Sequence, residues 1–297
     1  VASEIRVIII NYNAGEALLK CVSSVLNSRG SFTVLVADNQ STDGSCEVLR
    51  SRFGSAPNLQ IIENPANRGF GPAVNACARG ASERFLLVLN PDCELFPETL
   101  LQLRQALDEN PEAVLAAPAV VDEKGRMQRG TLRRLPDVRR AFLGGTGLWR
   151  LSLWFPRVFA GFVGVEIPAA DHPKSTSRAE AVSGACMLVR TDEFQALGGF
   201  DEAFSMHFED LDLMARVRQA GRHCLFVPLA RVVHLQGVSS ASRPLWVHWQ
   251  KHHGMQRYFR KHVFRQHGLV TRTLVSAANG LHYLLGFPLA LVRQWRA

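Results

Sequence analysis

The feature that most restricts the fold is an alternation. Between residues 4 and 121, five strand-like runs take turns with helix-like ones. The first is the β-branched stretch Glu4-Ile5-Arg6-Val7-Ile8-Ile9-Ile10-Asn11. A polar turn, Asn11-Tyr12-Asn13-Ala14-Gly15, follows. Residues 16–27 then place Ala17, Leu18, Cys21, Val22, Val25 and Leu26 at helical spacing. Runs at 32–37, 59–62, 84–90 and 113–121 read as further strands, separated by helical stretches around Cys46, over 72–81 and over 97–109. Pro72 is acceptable in a first helical turn. Strands alternating with helices argue for an α/β fold, a mostly parallel central sheet with helices on both faces.

Each strand ends in a polar segment, and the fourth ends most informatively. Leu86-Leu87-Val88-Leu89 has the continuous apolar character of a strand covered on both faces. It runs into Asn90-Pro91-Asp92-Cys93-Glu94, where Pro91 has no N–H to donate and pairing should stop. If the chain stays extended, Asp92 and Glu94 project to one side. Two carboxylates at a strand end offer oxygen ligands to a hard divalent cation, where open α/β sheets bind their ligands. A solvated acidic turn would have the same sequence.

Charge divides the chain. The whole carries +8, but from Leu213 to Ala297 there is no Asp or Glu, against thirteen Lys or Arg and eight of the ten His. The first 212 residues have a net charge of −5. The C-terminal part therefore asks for an anionic partner: nucleic acid, an anionic membrane surface or a phosphorylated substrate. Six scattered cysteines without a C-x-x-C pair suggest buried, reduced thiols in a cytosolic protein. No basic-then-apolar leader opens the sequence.

Residues 122–178 break the alternation. They hold Arg133-Arg134, Arg139-Arg140, Trp149, Trp154 and Phe155 without a clean period, and read as a mobile excursion facing an acceptor or a membrane. Residues 181–190 read as a strand broken at Ser183-Gly184-Ala185. Phe208-Glu209-Asp210-Leu211-Asp212 opens a helix with acids in its first turn, where they complement the helix dipole. Short strands are expected at 224–227 and 232–235, an aromatic and basic helix over 246–265, and an apolar helix over 271–296. The last holds nineteen uncharged residues from Leu274 to Val292, near the length needed to span a bilayer. Ser276, Asn279, His282 and Pro288 favour a helix lying in the interface. The same helix could instead close the domain or form a homo-oligomer.

Taken in order, Val7-Ile8-Ile9-Ile10-Asn11-Tyr12-Asn13, Val36-Ala37-Asp38-Asn39, Asn64-Pro65-Ala66-Asn67-Arg68-Gly69, Asn90-Pro91-Asp92, Ser183-Gly184-Ala185, Glu209-Asp210 and Val233-His234 form a pattern. It resembles family 2 glycosyltransferases of the GT-A fold, in particular bacterial rhamnosyltransferases of surface-polysaccharide synthesis. The resemblance implies a catalytic domain over 1–240 and a helical extension over 241–297. It implies that Asn11, Tyr12, Asn13, Asp38, Arg68, Gly69, Asn90, Gly184 and Ala185 bind a nucleoside-diphosphate sugar. Asp92, with Glu94 and His234, would hold Mg2+ or Mn2+. Here a single Asp92 between Asn90 and Glu94 replaces the commoner aspartate-x-aspartate. Asp210 would be the base of an inverting transfer, with Glu209 orienting it and the helix N-terminus keeping it ionised. The implied donor is dTDP-L-rhamnose or another hexose nucleotide, and the acceptor a lipid-linked or polysaccharide glycan. The implied location is the cytoplasmic surface of the inner membrane.

Other classes fit less well. A dinucleotide oxidoreductase needs G-x-G-x-x-G after a strand, and Gly69-Phe70-Gly71 is followed by Val74 where the third glycine should stand. A nucleic-acid binder, or a non-catalytic nucleotide-sugar binder, leaves the acidic strand ends without a purpose. His248 and His252 are spaced i, i+4 like metal ligands but read as a basic surface face.

Overall fold

The computed structural model describes residues 3–140, 165–235 and 243–296. The first half contains β1 (Ile5–Asn11), α1 (Glu16–Leu26), β2 (Phe32–Asp38), α2 (Ser45–Phe53), β3 (Leu59–Glu63), α3 (Phe70–Ala78), β4 (Phe85–Leu89), β5 (Cys93–Leu95), α4 (Thr99–Asp108) and β6 (Ala113–Val121). The second contains β7 (Leu132–Arg133), β8 (Ser177–Ala179), β9 (Ala181–Val182), β10 (Cys186–Arg190), α5 (Thr191–Ala196), α6 (Glu209–Gln219), β11 (His223–His234), α7 (Pro244–Tyr258) and α8 (Leu269–Arg296).

The main sheet runs β3-β2-β1-β4-β10-β6-β11-β5, with β8 also on β11. The chain steps outward from β1 to β2 and β3, then returns to place β4 on the other side of β1, all in parallel. That reversal opens a crevice at the carboxyl ends of β1, β2 and β4. β10 enters antiparallel between β4 and β6, and β11 runs parallel to β6.

Alternation along the strands divides the core into two layers. Val7 and Ile9 of β1 and Leu87 and Leu89 of β4 face α1 and α4 through Leu18, Val22, Leu100 and Leu103. Ile8, Ile10, Leu86 and Val88 face the opposite layer, with Ala73 and Val74 of α3 and Leu213, Met214 and Val217 of α6. Both faces are covered, which is why β4 reads as an unbroken apolar run.

Several local expectations need correction. The chain does not stay extended after Asn90: Cys93 N–H returns to the Asn90 carbonyl at 3.2 Å, and Cys93–Leu95 re-enters the sheet as β5. The 181–190 segment splits at Gly184 into β9, which pairs with β7 in a small second sheet, and β10 in the main one. The two strands expected at 224–235 are one, β11, whose pairing shifts between Val227 and Arg231. Pro228 lies inside that interval and has no N–H for the ladder. α7 stops at Tyr258, followed by a π turn at Phe259–Val263 and a 3-10 turn at Phe264–Gln266. The aromatic residues of 149–159 and residues 236–242 lie outside the described residues.

Candidate active site

The strand ends meet a cavity of about 2530 Å³, bounded by α6, α7 and α8 on its far side. A site for one small molecule is roughly 300–1,000 Å³, so there is room for two substrates.

The loops after β1 and β2 hold one another. Asn11 Nδ2 donates to Asp38 Oδ1 at 2.8 Å and to the Ser45 hydroxyl at 2.9 Å. Asp38 also accepts from the hydroxyl and N–H of Ser41. Asn13, at φ 51°, accepts the Thr42 N–H at 2.7 Å. These three expected nucleotide ligands therefore stand behind the wall and set its shape, while their neighbours Tyr12 and Asn39 line it. Asn39 Nδ2 reaches the Gly69 carbonyl at 3.1 Å, tying in the loop that carries Arg68 and Gly69 to the cavity. Gly69 has φ 81°, a left-handed conformation that favours glycine.

Asn90 and Asp92 line the cavity at the end of β4, and Asn90 N–H donates to the Ala185 carbonyl at 2.9 Å. The end of β11 brings His234 Nε2 to 3.2 Å from Asp92 Oδ1. Asp92, Cys93 and His234 converge closely enough to share an ion. Burial raises the Cys93 thiol well above its ordinary pKa, and its Sγ lies 3.5 Å from the Ala185 carbonyl, so it stays protonated. That leaves one carboxylate and one imidazole, a set that suits Mg2+ or Mn2+ when substrate phosphates and water complete the shell. Glu94 is not brought to this point. It stands on β5 opposite Val233, outside both the cluster and the cavity wall, because the turn at Asn90–Cys93 breaks the alternation that would have aligned it with Asp92.

α6 presents Glu209 and Asp210 to the same cavity. The turn before it puts two consecutive non-glycine residues, His207 (φ 63°) and Phe208 (φ 70°), in the left-handed region. Each costs about 1–3 kcal/mol and persists only where the surroundings enforce it. The Phe208 ring packs 5.9 Å from that of Tyr258. Asp210 is fixed on three sides. Its Oδ1 accepts the Leu211 N–H at 2.8 Å, its Oδ2 pairs with Arg133, and its Cβ faces Gly184, where any side chain would collide. Arg133 also donates to the Val182 carbonyl, so β7 and β9 together aim it. Burial first, and then the charge of Asp210, push the Glu209 carboxyl well above the ordinary range, and its Oε2 has no hydrogen-bond partner among the described residues. Asp212 looks away from the cavity. It is fully buried against Arg216 at 2.8 Å, Lys261 at 2.8 Å and His262 at 2.7 Å, which pins α6 to the turn after α7.

Residues 6–156 match the family described as Glycosyl transferase family 2. The chain belongs to that family. The family makes the protein a glycosyltransferase, and the likeness to solved structures given below shows the GT-A fold. Among curated relatives it is similar to an N-acetylglucosaminyl-diphospho-decaprenol L-rhamnosyltransferase of Mycobacterium tuberculosis, 29% identical over 83% of this chain and 80% of the relative. It is also similar to rhamnosyltransferase WbbL of Escherichia coli K12, 22% identical over 77% of this chain and 83% of the relative. Among solved structures it resembles GalNAc-T7 with UDP, GalNAc and Mn2+ (TM-score 0.60, 16% identity, 86% of this chain), of which it spans half the length. It also resembles the Pyrobaculum calidifontis mannosyltransferase PcManGT with GDP-Man and Mn2+ (TM-score 0.59, 15% identity, 99% of this chain, 74% of the other).

Two residues of this glycosyltransferase site escaped the sequence reading. Arg133 was one arginine among several in an irregular stretch, and its partner lies 77 positions away. Arg243 reaches from the start of α7 to the Tyr12 hydroxyl at 2.8 Å and lies over the Tyr12 ring at 5.5 Å. No local pattern marks either.

Proposed function

We propose that the protein is an inverting, divalent-metal-dependent rhamnosyltransferase, with dTDP-L-rhamnose as donor and a lipid-diphosphate-linked N-acetylglucosamine as acceptor. The observation that carries this is that Asp92, His234 and Asp210 line one cavity large enough for both substrates. The two rhamnosyltransferase relatives, which align over more than three quarters of this chain, favour rhamnose. The product would be a cell-surface glycan such as O-antigen or exopolysaccharide.

Tyr12, Asn39 and Arg68 would receive the nucleotide, with Asn11, Asn13 and Asp38 holding their loops, and Gly69 and Asn90 completing the wall. Asp92 and His234 would hold Mg2+ or Mn2+, which when bound offsets the charge gathering on the departing diphosphate. Arg68 and Arg243 add positive charge on the same side. Asp210 would take the proton of the acceptor hydroxyl as that oxygen attacks the anomeric carbon opposite the leaving group. Arg133 and the bare backbone of Gly184 keep its carboxylate in place, and Ala185 leaves room beside it. Glu209, whose burial favours the neutral form, would use Oε2 to bond a substrate hydroxyl and orient it against Asp210.

The extension would place this chemistry at a membrane surface, on the cytoplasmic side. α8 turns its polar residues inward: Ser276 meets Gln256 at 2.8 Å, Asn279 meets His252 at 2.8 Å, and the Tyr283 carbonyl lies 3.0 Å from His248. Its leucines point outward, Leu285 at 72% exposure, and Trp295 reaches 83%. The helix is long and apolar enough to cross a bilayer, but the inward polar stripe against α7 favours lying in the interface.

The test is a panel of dTDP-rhamnose, GDP-mannose, UDP-glucose and UDP-galactose, scored by hydrolysis and by protection against thermal unfolding, with and without Mn2+. The reading expects dTDP-rhamnose to protect most, in a metal-dependent way lost in Asp92→Asn. Better protection by another donor would reassign the sugar. A flat response to all four would remove the enzymatic reading.

A further inference from the structure

The turn that presents Glu209 and Asp210 is strained, and contacts outside it must hold it. His207 and Phe208 stand in succession at φ 63° and 70°, and Phe208 is the residue on which α6 starts. Phe208 has no polar side chain with which to bond its own backbone in that conformation. Its carbonyl accepts the Asp212 N–H at 2.8 Å, a bond that any helix start makes. The conformation therefore depends on what packs against the ring and the backbone of the turn.

Those contacts come from α7. Gly254 is buried against the turn: a Cβ there would lie 3.1 Å from the Phe208 ring and 3.3 Å from the His207 carbonyl oxygen. Tyr258 is one helical turn further along the same face. Its ring, 2% exposed, lies 5.9 Å from that of Phe208 and 4.9 Å from that of His262. Glycine and tyrosine four residues apart make a notch, with Phe208 lodged in it. His262 in turn meets Asp212 at 2.7 Å, which ties the end of α7 to α6. On another side the turn touches the loop that carries Arg68, where a Cβ on Gly69 would stand 3.4 Å from the Ser205 carbonyl oxygen. A glycine in a helix interior costs roughly 0.8–1.0 kcal/mol against alanine, so α7 itself gains nothing from Gly254.

We propose that Gly254 and Tyr258 are positioning residues for the base: their notch holds Phe208, Phe208 holds the left-handed turn, and the turn sets where Asp210 stands. This rests on the reading of Asp210 as the base. The catalytic unit then extends past residue 240 and through α7. That helix starts beside Arg243, which bonds Tyr12 on the nucleotide wall, and reaches the base turn eleven residues later, about 16 Å along its axis. One helix of the C-terminal extension touches both ends of the site.

The test is Gly254→Ala in the full chain, alone and combined with Asp210→Asn, with Gly280→Ala as control. Gly280 lies in α8, where a Cβ meets nothing within 4 Å, so it reports only the general effect of alanine for glycine in this pair of helices. At position 254 the methyl must push the ring and the carbonyl back by about 0.3–0.5 Å to reach ordinary contact. The measurements are kcat for transfer, donor Kd by calorimetry in Mn2+, and thermal melts to establish folding. The expected result is kcat reduced about five-fold in Gly254→Ala, donor Kd within about two-fold of wild type, and no change in Gly280→Ala. In the Asp210→Asn background Gly254→Ala should make no further difference, because a side chain that cannot take the proton has no position to lose. An equal loss in both backgrounds means that α7 supports the fold in general, and overturns the proposal. Wild-type kcat in a folded Gly254→Ala protein overturns it as well. If Gly254→Ala does not fold, Phe208→Gly takes its place: glycine adopts φ 70° without strain, so the turn forms without its ring, and the same loss of kcat at constant donor Kd is expected. Wild-type kcat in Phe208→Gly overturns the proposal. Failure of the parent reading looks different. An Asp210→Asn protein that transfers within about ten-fold of wild type removes the base and the notch's role together. A near-inactive Asp210→Asn beside an unaffected Gly254→Ala removes the notch's role alone.

Discussion

Gly184→Ala is the most direct probe of how tightly Asp210, the proposed base, is held. A Cβ at position 184 would stand 2.9 Å from both Cβ and Oδ2 of Asp210 and 3.1 Å from its Cγ. Gly184 has no positive φ, so the added methyl brings no backbone strain, and the whole effect falls on Asp210. To reach ordinary contact, the carboxylate must retreat by about 0.5 Å, against the Arg133 pairing and the Leu211 N–H bond that hold it. Overpacking of this kind costs roughly 1–3 kcal/mol of stability. A misplacement of about 1 Å costs on the order of a hundred-fold in rate, so half of that should cost about ten-fold, or about 1.4 kcal/mol in the barrier. The assay is steady-state transfer at saturating donor, with donor affinity measured separately by calorimetry in Mn2+. The expected result is kcat reduced about ten-fold with donor Kd changed by less than about two-fold. A folded Gly184→Ala protein with wild-type kcat would refute the claim that the position of Asp210 limits turnover. An equal loss in donor affinity would move the role of Gly184 to the sugar.

Three further outcomes follow from the same geometry. Glu209 has its folded pKa raised by burial and by Asp210, so the folded state holds its proton more tightly than the unfolded chain. Stability from this group is complete below the ordinary glutamate range and falls as pH rises toward the raised value; Glu209→Gln should flatten that slope in thermal melts between pH 5 and about 8. An undiminished slope would mean that Glu209 is ionised in the fold. For Asp212, burial pushes the pKa up, but His262, Lys261 and Arg216 outweigh it and draw it down to about 2. Its stabilisation is present above the ordinary aspartate range and lost as pH falls toward 2. Asp212→Asn, by leaving Arg216 without its counter-charge and Lys261 with Asp201 alone, should cost about 3 kcal/mol in denaturant melts at pH 7. A cost below about 0.5 kcal/mol would show that the cluster is not what pins α6 to the C-terminal turns. Leu281→Glu with Leu285→Glu, in the full chain, should abolish sedimentation with anionic phospholipid vesicles, to which each nearby Lys or Arg contributes about 1 kcal/mol. Unchanged sedimentation would remove α8 from the membrane.

The parts of this protein that were legible in sequence are those written in local pattern. β1, β4 and β6 have continuous apolar runs because both faces of the sheet are covered, and such runs need no partner to be recognised. β5, β7 and β9 are two or three residues long and exist only because distant strands pair with them. The same difference divides the site. Asp92, His234, Gly184 and Asp210 stand at element ends, where sequence marks them, and they do line one cavity. Glu94 was misjudged because its placement depends on a turn that one proline does not specify. Arg133 and Arg243 act through contacts 77 and 231 positions apart, which no window of sequence contains. The left-handed pair His207 and Phe208 is invisible for another reason: neither residue type favours that conformation, and only packing enforces it.

The division of labour across the cavity comes down to Asp210. Asp210→Asn keeps the shape of the side chain and removes its ability to accept a proton, while leaving Asp92, His234 and the nucleotide loops untouched. Transfer from dTDP-rhamnose should fall by a factor on the order of 10³ or more, while the Kd for the donor with Mn2+ stays at its wild-type value. If the variant still transfers within about ten-fold of wild type, the proton goes elsewhere and Asp210 is not the base.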